Sequence, residues 1–169
     1  MDKVISNATP LIYLAKSDQL NLLKSIVKQV FIPEAVYKEV VIKGKNLGEN
    51  DAYRVESAVT KGWIKVQKVQ KVYPVEIEIH PGEMEVISLA KEKGIEAVLM
   101  DDAKARAASE IAGLRPIGTL WLILKAVKDR VINFDEFLAM LENIIRAGFY
   151  LKEEVYLKVI SEARKLSAD

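Results

Sequence analysis

Four polar residues that lie far apart in the chain stand where a predicted strand passes into a helix, or in the first turns of that helix. They are Asn7, Glu39, Glu83 and Asp102. In an open α/β sheet such positions converge, because the crevice lies outside the carboxyl ends of the parallel strands. Carboxylate and amide oxygens grouped there bind hard cations such as Mg²⁺ or Mn²⁺. The spacing therefore predicts a divalent-metal site.

The elements that must carry these residues follow from hydrophobic periodicity. Short apolar runs predict strands at 4–7, 30–32, 63–69, 97–100 and 115–117. Helical periodicity fills the intervals, and the repeated change of period is typical of βαβ units. The predicted fold class is therefore α/β, with a mainly parallel sheet flanked by helices.

Several local signals place the ends of the helices. Thr9 and Pro10 begin the first helix, and Pro81 begins the helix that carries Glu83 in its first turn. The glycines between residues 43 and 50 predict a loop. Asn133, followed by Glu136, resembles a capping box. This predicts helices in the C-terminal part, at 133–166.

Composition excludes several kinds of site. The chain has no cysteine, which rules out disulfides, thiolate metal sites and cysteine nucleophiles. Its one histidine, His80, cannot by itself supply a zinc site or a catalytic triad, and we expect it to be a solvated residue before Pro81. The net charge is only +1, so any contact with nucleic acid must be a local patch.

Length and the N-terminus bear on organisation and location. At 169 residues the chain suits one domain, 1–169. The N-terminus lacks a basic region followed by an apolar one, and the longest apolar stretch, 120–124, is too short to cross a bilayer. We therefore expect a cytoplasmic protein without a membrane contact. Abundant Lys, Glu, Ile and Val with little Gln and no Cys also favour a thermophile.

Four strings of residues, in this order and spacing, resemble a PIN domain. They are Val-Ile-Ser-Asn-Ala-Thr-Pro-Leu-Ile (4–12), Pro-Glu-Ala-Val-Tyr-Lys-Glu-Val (33–40), Gly-Glu-Met-Glu (82–85) and Asp-Asp-x-x-Ala-Arg (101–106). The likeness is closest to the prokaryotic branch described as predicted nucleic-acid-binding proteins. It covers residues 4–126, and the C-terminal helices carry no motif. The resemblance implies a three-layer fold with about four to five strands, within the usual size of a sheet.

The resemblance also implies an activity. PIN domains are Mg²⁺- or Mn²⁺-dependent ribonucleases, and many are toxins of type II toxin–antitoxin pairs. The expected partners are single-stranded RNA, a cognate antitoxin and a second copy of the chain. The family's acidic ligands correspond to Asn7, Glu39, Glu83 and Asp102, of which the last three would be catalytic. Asp101 could substitute for Asp102, and Glu85 competes with Glu83. Thr9 and Thr119 match hydroxyls near the family's site.

An amide stands where the family has its first acid. Asn7 can ligate a hard cation, but it contributes no formal charge to balance the metal. This leaves a second hypothesis, a PIN-fold module that binds nucleic acid or protein and whose nuclease activity is weak or lost. A third, a metal-dependent phosphoryl-transfer enzyme, ranks below both, because the chain has no P-loop and no D-x-D after its first strand.

Each candidate also has a purely structural interpretation. Asp101 and Asp102 could simply cap the following helix, and Asn7 could be a turn residue. The candidates for RNA contact are Lys65, Lys68, Lys104 and Arg106. The first two could bind along the RNA or could only protect an edge strand from aggregation, whereas Lys104 and Arg106 lie closer to the predicted metal. The apolar stripe 120–124 is core, part of which could bury a dimer interface.

Overall fold

Five parallel strands form the sheet, which confirms the predicted α/β class. The computed structural model describes residues 1–168, so only Asp169 of the predicted domain lies outside it. The strands are β1 (Lys3–Ser6), β2 (Gln29–Pro33), β3 (Ile64–Gln67), β4 (Ala97–Leu99) and β5 (Arg115–Ile117). Their order is β3-β2-β1-β4-β5, and every neighbouring pair is parallel. The 63–69 strand is shorter than predicted and lies at the sheet edge, as expected.

Helices cover the sheet and complete the three layers. They are α1 (Ala8–Lys16), α2 (Leu20–Ile26), α3 (Glu34–Tyr37), a π-helical segment (Lys38–Lys43), α4 (Gly44–Asn46), α5 (Asn50–Thr60), α6 (Pro81–Lys93), α7 (Ala103–Ile111), α8 (Thr119–Lys128), α9 (Phe134–Arg146) and α10 (Glu153–Ala168). Helix α6 ends at Gly94, whose left-handed φ of 62° suits a residue without a side chain. The capping box at Asn133 and Glu136 is present.

The strand order reverses beside β1, and this reversal positions the site. From β1 the chain moves outward through β2 to β3, and it then crosses back through α6 to β4 and β5 on the other side. Helix α6 makes this crossing in contact with β2, β1 and β4. A crevice opens at the carboxyl ends of the strands at such a reversal. Asn7 follows β1, and Asp102 follows β4 by three residues, so both stand at this point.

One predicted loop is partly helical. Residues 34–46 form an uninterrupted helical run of α3, the π-helical segment and α4, so the loop expected from residue 43 begins only after Asn46. Gly44 is buried in this run, where an added Cβ would lie 2.9 Å from the Cβ of Ala52. Because Gly44 has no side chain, the two helices can pack closely there, and this glycine does not form a turn. Gly48, with a φ of 76°, is the residue that serves the turn.

The C-terminal helices pack onto the core through one face each. Phe137, Leu141 and Ile144 of α9 are buried, as are Val159 and Ala163 of α10. The stripe 120–124 of α8, predicted to be core, is only partly buried: residues 122 and 123 are buried, and residues 120, 121 and 124 are half-buried. Within residues 1–168, no helix has the length and apolar character needed to span a bilayer.

Candidate active site

Asn7 connects the first strand to the mid-chain helix. It is the N-cap of α1, and its Oδ1 accepts a hydrogen bond from the Ala8 N–H at 2.8 Å. Its Nδ2 donates to Glu83 Oε1 at 3.5 Å, and both side chains are buried. The helix thus begins at Ala8, one residue before the predicted Thr9, because the amide of Asn7 can cap it. Thr9 is half-buried and lines the same cleft as Asn7.

Glu83 is the most buried carboxylate at this edge of the sheet. Only 8% of the residue is exposed, and its Oε2 accepts from the His80 N–H at 3.0 Å. Burial raises the pKa of the Glu83 carboxyl, the hydrogen bond from His80 opposes this, and the negative charge of Asp102 raises the pKa further. A cation near Glu83 would therefore relieve an unfavourable charge.

Replacing Glu83 with Gln is expected to weaken the pH dependence of the free energy of unfolding of the metal-free protein between pH 7 and pH 4. The charge on the Glu83 carboxylate penalises the folded state, and Gln has no charge to titrate. The folded-state pKa lies above the ordinary value of 4.5, so the penalty is present above that raised pKa and disappears as pH falls below 4.5. Urea unfolding of both proteins from pH 7 to pH 4 checks this. A Gln variant whose stability depends on pH as strongly as that of the parent would contradict it.

The two adjacent aspartates, Asp101 and Asp102, accept hydrogen bonds from different elements. Asp102 is the exposed N-cap of α7, and its Oδ1 accepts from the N–H groups of Lys104 and Ala105 at 2.9 Å each. Asp101 turns the other way: its Oδ1 accepts from the Thr119 N–H at 2.8 Å and its Oδ2 from the Thr119 hydroxyl at 2.7 Å. Successive side chains of an extended chain point to opposite sides, which separates the pair.

Asp101 and Thr119 therefore tie the start of α8 to the end of β4. Burial raises the pKa of the Asp101 carboxyl, although the two hydrogen bonds from Thr119 and the charge of Arg106 oppose the shift. The Arg106 guanidinium donates to the Met100 carbonyl at 3.2 Å. Arg106 is thus engaged within the protein, next to Asp101, and does not line the cleft.

Replacing Asp101 with Ala is expected to lower the free energy of unfolding by about 2–4 kcal/mol, because the buried Thr119 N–H and hydroxyl both lose their acceptor. The exposed cap is less important, so Asp102→Ala should cost only about 1 kcal/mol. Urea denaturation compares the two variants. Equal losses would show that the Thr119 bonds contribute no more than the cap.

Glu39 reaches the cleft from an unusual helical segment. Glu39 lies in the π-helical stretch and is exposed, although Val36 before it and Val40 after it are buried. Four residues of an α-helix turn through about 400° around its axis, so residues spaced by four do not stay on one face of the helix. A π-helix has more residues per turn and reduces this drift, and such segments are frequent at functional sites. It keeps Val36, Val40 and Gly44 on the buried side while Glu39 and Lys43 stay on the cleft.

The four predicted positions line one cleft of about 630 Å³, together with Lys43 and His80. An adjoining hollow of about 620 Å³ shares Glu83 and Asp102 with it, and is lined also by Glu78 and Lys104. Sequence reasoning missed Lys43 and set aside His80. The available signals were the spacing of four from Glu39 to Lys43, and the place of His80 at the start of α6.

The other predicted residues lie elsewhere. Glu85 points away from the cleft, and its Oε2 accepts from the Ala35 N–H at 3.1 Å. Lys65 is exposed on β3, and Lys68 follows that strand directly. Neither lysine lines the cleft.

The donor set fits a hard cation. Within residues 1–168, no three His, Asp or Glu side chains are grouped tightly enough to hold a metal as they stand. The donors are nevertheless all oxygens, and neither carboxylate oxygen of Glu39 nor Oδ2 of Asp102 has a hydrogen-bond partner in the described chain. Both side chains are exposed. Hard cations take such oxygen ligands.

The comparisons with known proteins agree with this arrangement. A family model described as a PIN domain matches residues 3–165. No curated protein and no solved structure matches the chain significantly. PIN domains are generally nucleases that use divalent metal ions. Because the match runs from β1 into α10 and the parallel sheet and acidic cleft agree with it, the chain belongs to the PIN-domain family.

Proposed function

We propose that this chain is a metal-dependent endoribonuclease that cleaves single-stranded RNA in the cleft of Asn7, Glu39, Glu83 and Asp102. The observation that carries the proposal is that four oxygen-bearing side chains from four separate elements line one cleft, in a member of the PIN family. Mg²⁺ or Mn²⁺ would be held by the carboxylates of Glu39, Glu83 and Asp102, with Asn7 beside them.

The ion would supply charge stabilisation at the scissile phosphate and lower the pKa of a water molecule. The protein's own part is to position the ligands. The Asn7 amide and the His80 N–H hold the Glu83 carboxylate in place, and the backbone of α7 holds Oδ1 of Asp102 and leaves Oδ2 available.

We propose that two lysines contact the phosphates of the RNA. Lys43 lines the cleft on the side of Glu39, and Lys104 lines the adjoining hollow beside Asp102. Both are exposed, and within residues 1–168 neither forms an ion pair. Lys65, Lys68 and Arg106 would contribute less, since none of them lines either hollow.

The test is cleavage of matched nucleic acids by the purified protein. We expect Mn²⁺-dependent cutting of a single-stranded RNA, inhibition by a chelator, and little cutting of the same sequence as a duplex. Binding of RNA without any metal-dependent cleavage would instead favour the binding-module function. The observation in favour of that second function is Asn7, which donates its amide to Glu83 where the family has an acid.

We extend the proposal to a toxin of a type II pair, with a cognate antitoxin as protein partner and a homodimer as the working state. Expression of the parent chain should arrest growth, and the Asp102→Asn variant should not. Co-expression of a small neighbouring reading frame should relieve the arrest, and sedimentation should report the dimer. Equal growth with parent and variant would remove the toxin role.

A further inference from the structure

Glu85 joins two elements that carry ligands of the cleft. It lies on α6, two residues after Glu83, and its half-buried carboxylate accepts the backbone N–H of Ala35 across 50 residues of sequence. Ala35 belongs to the first turn of the helical run 34–46 that carries Glu39. The same helix therefore presents Glu83 to the cleft and holds the start of the helix that presents Glu39.

The bond from Glu85 has no local substitute. The first N–H groups of a helix lack partners within the helix, and a side chain at the N-cap usually supplies one. Here the N-cap is Pro33, which has no side-chain acceptor. Glu85 of α6 supplies the acceptor instead, and a carboxylate is the favourable group at a helix N-terminus.

Glu39 also lies close to α6 itself. A Cβ added to Gly82 would lie 3.7 Å from Oε2 of Glu39, so the carboxylate of Glu39 rests against the first turn of α6. A shift of the run 34–46 relative to α6 would change the separation of Glu39 from Glu83. The Glu85 bond opposes that shift four residues before Glu39.

We propose that Glu85 is a positioning residue that fixes Glu39 relative to Glu83, through its hydrogen bond to the N–H of Ala35. It is not itself a metal ligand. The inference rests on the proposed metal site, and it explains why Gly-Glu-Met-Glu carries two acids with different tasks. Partners that orient a ligand in this way typically change metal affinity when they are removed.

Mn²⁺ affinity, measured by calorimetric titration well below the melting temperature, tests the inference. Glu85→Ala should weaken Mn²⁺ binding by roughly tenfold. Glu85→Gln keeps an acceptor oxygen and should restore affinity to nearly that of the parent. Glu85→Asp keeps the charge but moves the carboxylate oxygen away from the Ala35 N–H. Its Mn²⁺ affinity should lie between those of the Ala and Gln variants, and it replaces the Ala variant in the test if that variant does not fold.

Glu92 provides a matched control on the same helix. Its Oε1 accepts the N–H groups of Gln70 at 2.7 Å and Lys71 at 2.5 Å near the other end of α6, away from the cleft. Glu92→Ala removes carboxylate-to-backbone bonds of the same type and should leave Mn²⁺ affinity unchanged.

A double-mutant cycle with Glu39→Gln separates positioning from general stability. If Glu85 acts through Glu39, adding Glu85→Ala to the Glu39→Gln variant should cause almost no further loss of affinity. An equal loss in both backgrounds, or a fall in melting temperature with unchanged Mn²⁺ affinity, would overturn the positioning role. A parent chain that binds no Mn²⁺ would refute the metal site itself, which is a different result from either.

Discussion

Replacing Asp102 with Asn is expected to slow Mn²⁺-dependent cleavage of single-stranded RNA by about a hundredfold or more, while the fold stays intact. The variant removes one negative charge from the proposed metal site, which has an amide at Asn7 where the family has an acid, and losing about 3 kcal/mol of metal-dependent stabilisation corresponds to that factor. Stability should hold because Asn is as good an N-cap as Asp, and its Oδ1 can still accept from Lys104 and Ala105. A gel-based nuclease assay measures the rate of cleavage, and thermal melting measures the stability of the fold.

Asp129 offers the control for this variant. It is an acid at the end of α8 that pairs with Lys125 and does not line the cleft. Asp129→Asn should leave cleavage unchanged. If Asp102→Asn cuts RNA as fast as the parent, Asp102 is no ligand, and the cap of α7 is its whole role.

Replacing Asn7 with Asp should destabilise the metal-free protein by about 2–3 kcal/mol at pH 7. The Nδ2 that donates to Glu83 would become a carboxylate oxygen about 3.5 Å from Glu83 Oε1, in a buried place. Two like charges about 4 Å apart repel by roughly 4 kcal/mol at an effective dielectric near 20, and residual hydration offsets part of this. Repulsion raises the folded-state pKa of the pair, so the loss should shrink as pH falls and one carboxyl takes up a proton.

The same variant should bind Mn²⁺ more tightly. An added carboxylate attracts the ion, repulsion among the acids opposes this, and a net gain of about 1–3 kcal/mol corresponds to roughly tenfold to a hundredfold. Calorimetric titration of both proteins measures it, and urea unfolding without metal measures the destabilisation. Asn133→Asp is the matched control, since Asn133 is also an N-cap but does not line the cleft. Unchanged Mn²⁺ affinity in Asn7→Asp would place Asn7 outside the coordination shell.

Local pattern was sufficient for most of the fold. The apolar runs 30–32 and 97–100 predicted strands where β2 and β4 lie, and the switching periods predicted a parallel sheet. Periodicity succeeds here because a strand buried on both faces needs a continuous apolar run, and helices between such strands force parallel pairing. Gly44 misled, because sequence alone does not distinguish a glycine needed for helix packing, as at Gly44, from one needed for a turn, as at Gly48.

The amino-acid sequence by itself determined the fold class, the family motifs and the strand ends beside which the candidate acids lie, because each depends on short-range spacing. Only the tertiary structure decided which acids face the cleft. Asp102 does, whereas Asp101 turns to Thr119 and Glu85 turns to Ala35, 18 and 50 residues away. It also brought Lys43 and His80 into the cleft, and it engaged Arg106 with the Met100 carbonyl. Those contacts depend on how distant elements pack, and spacing along the chain does not indicate which distant residue becomes the hydrogen-bond partner.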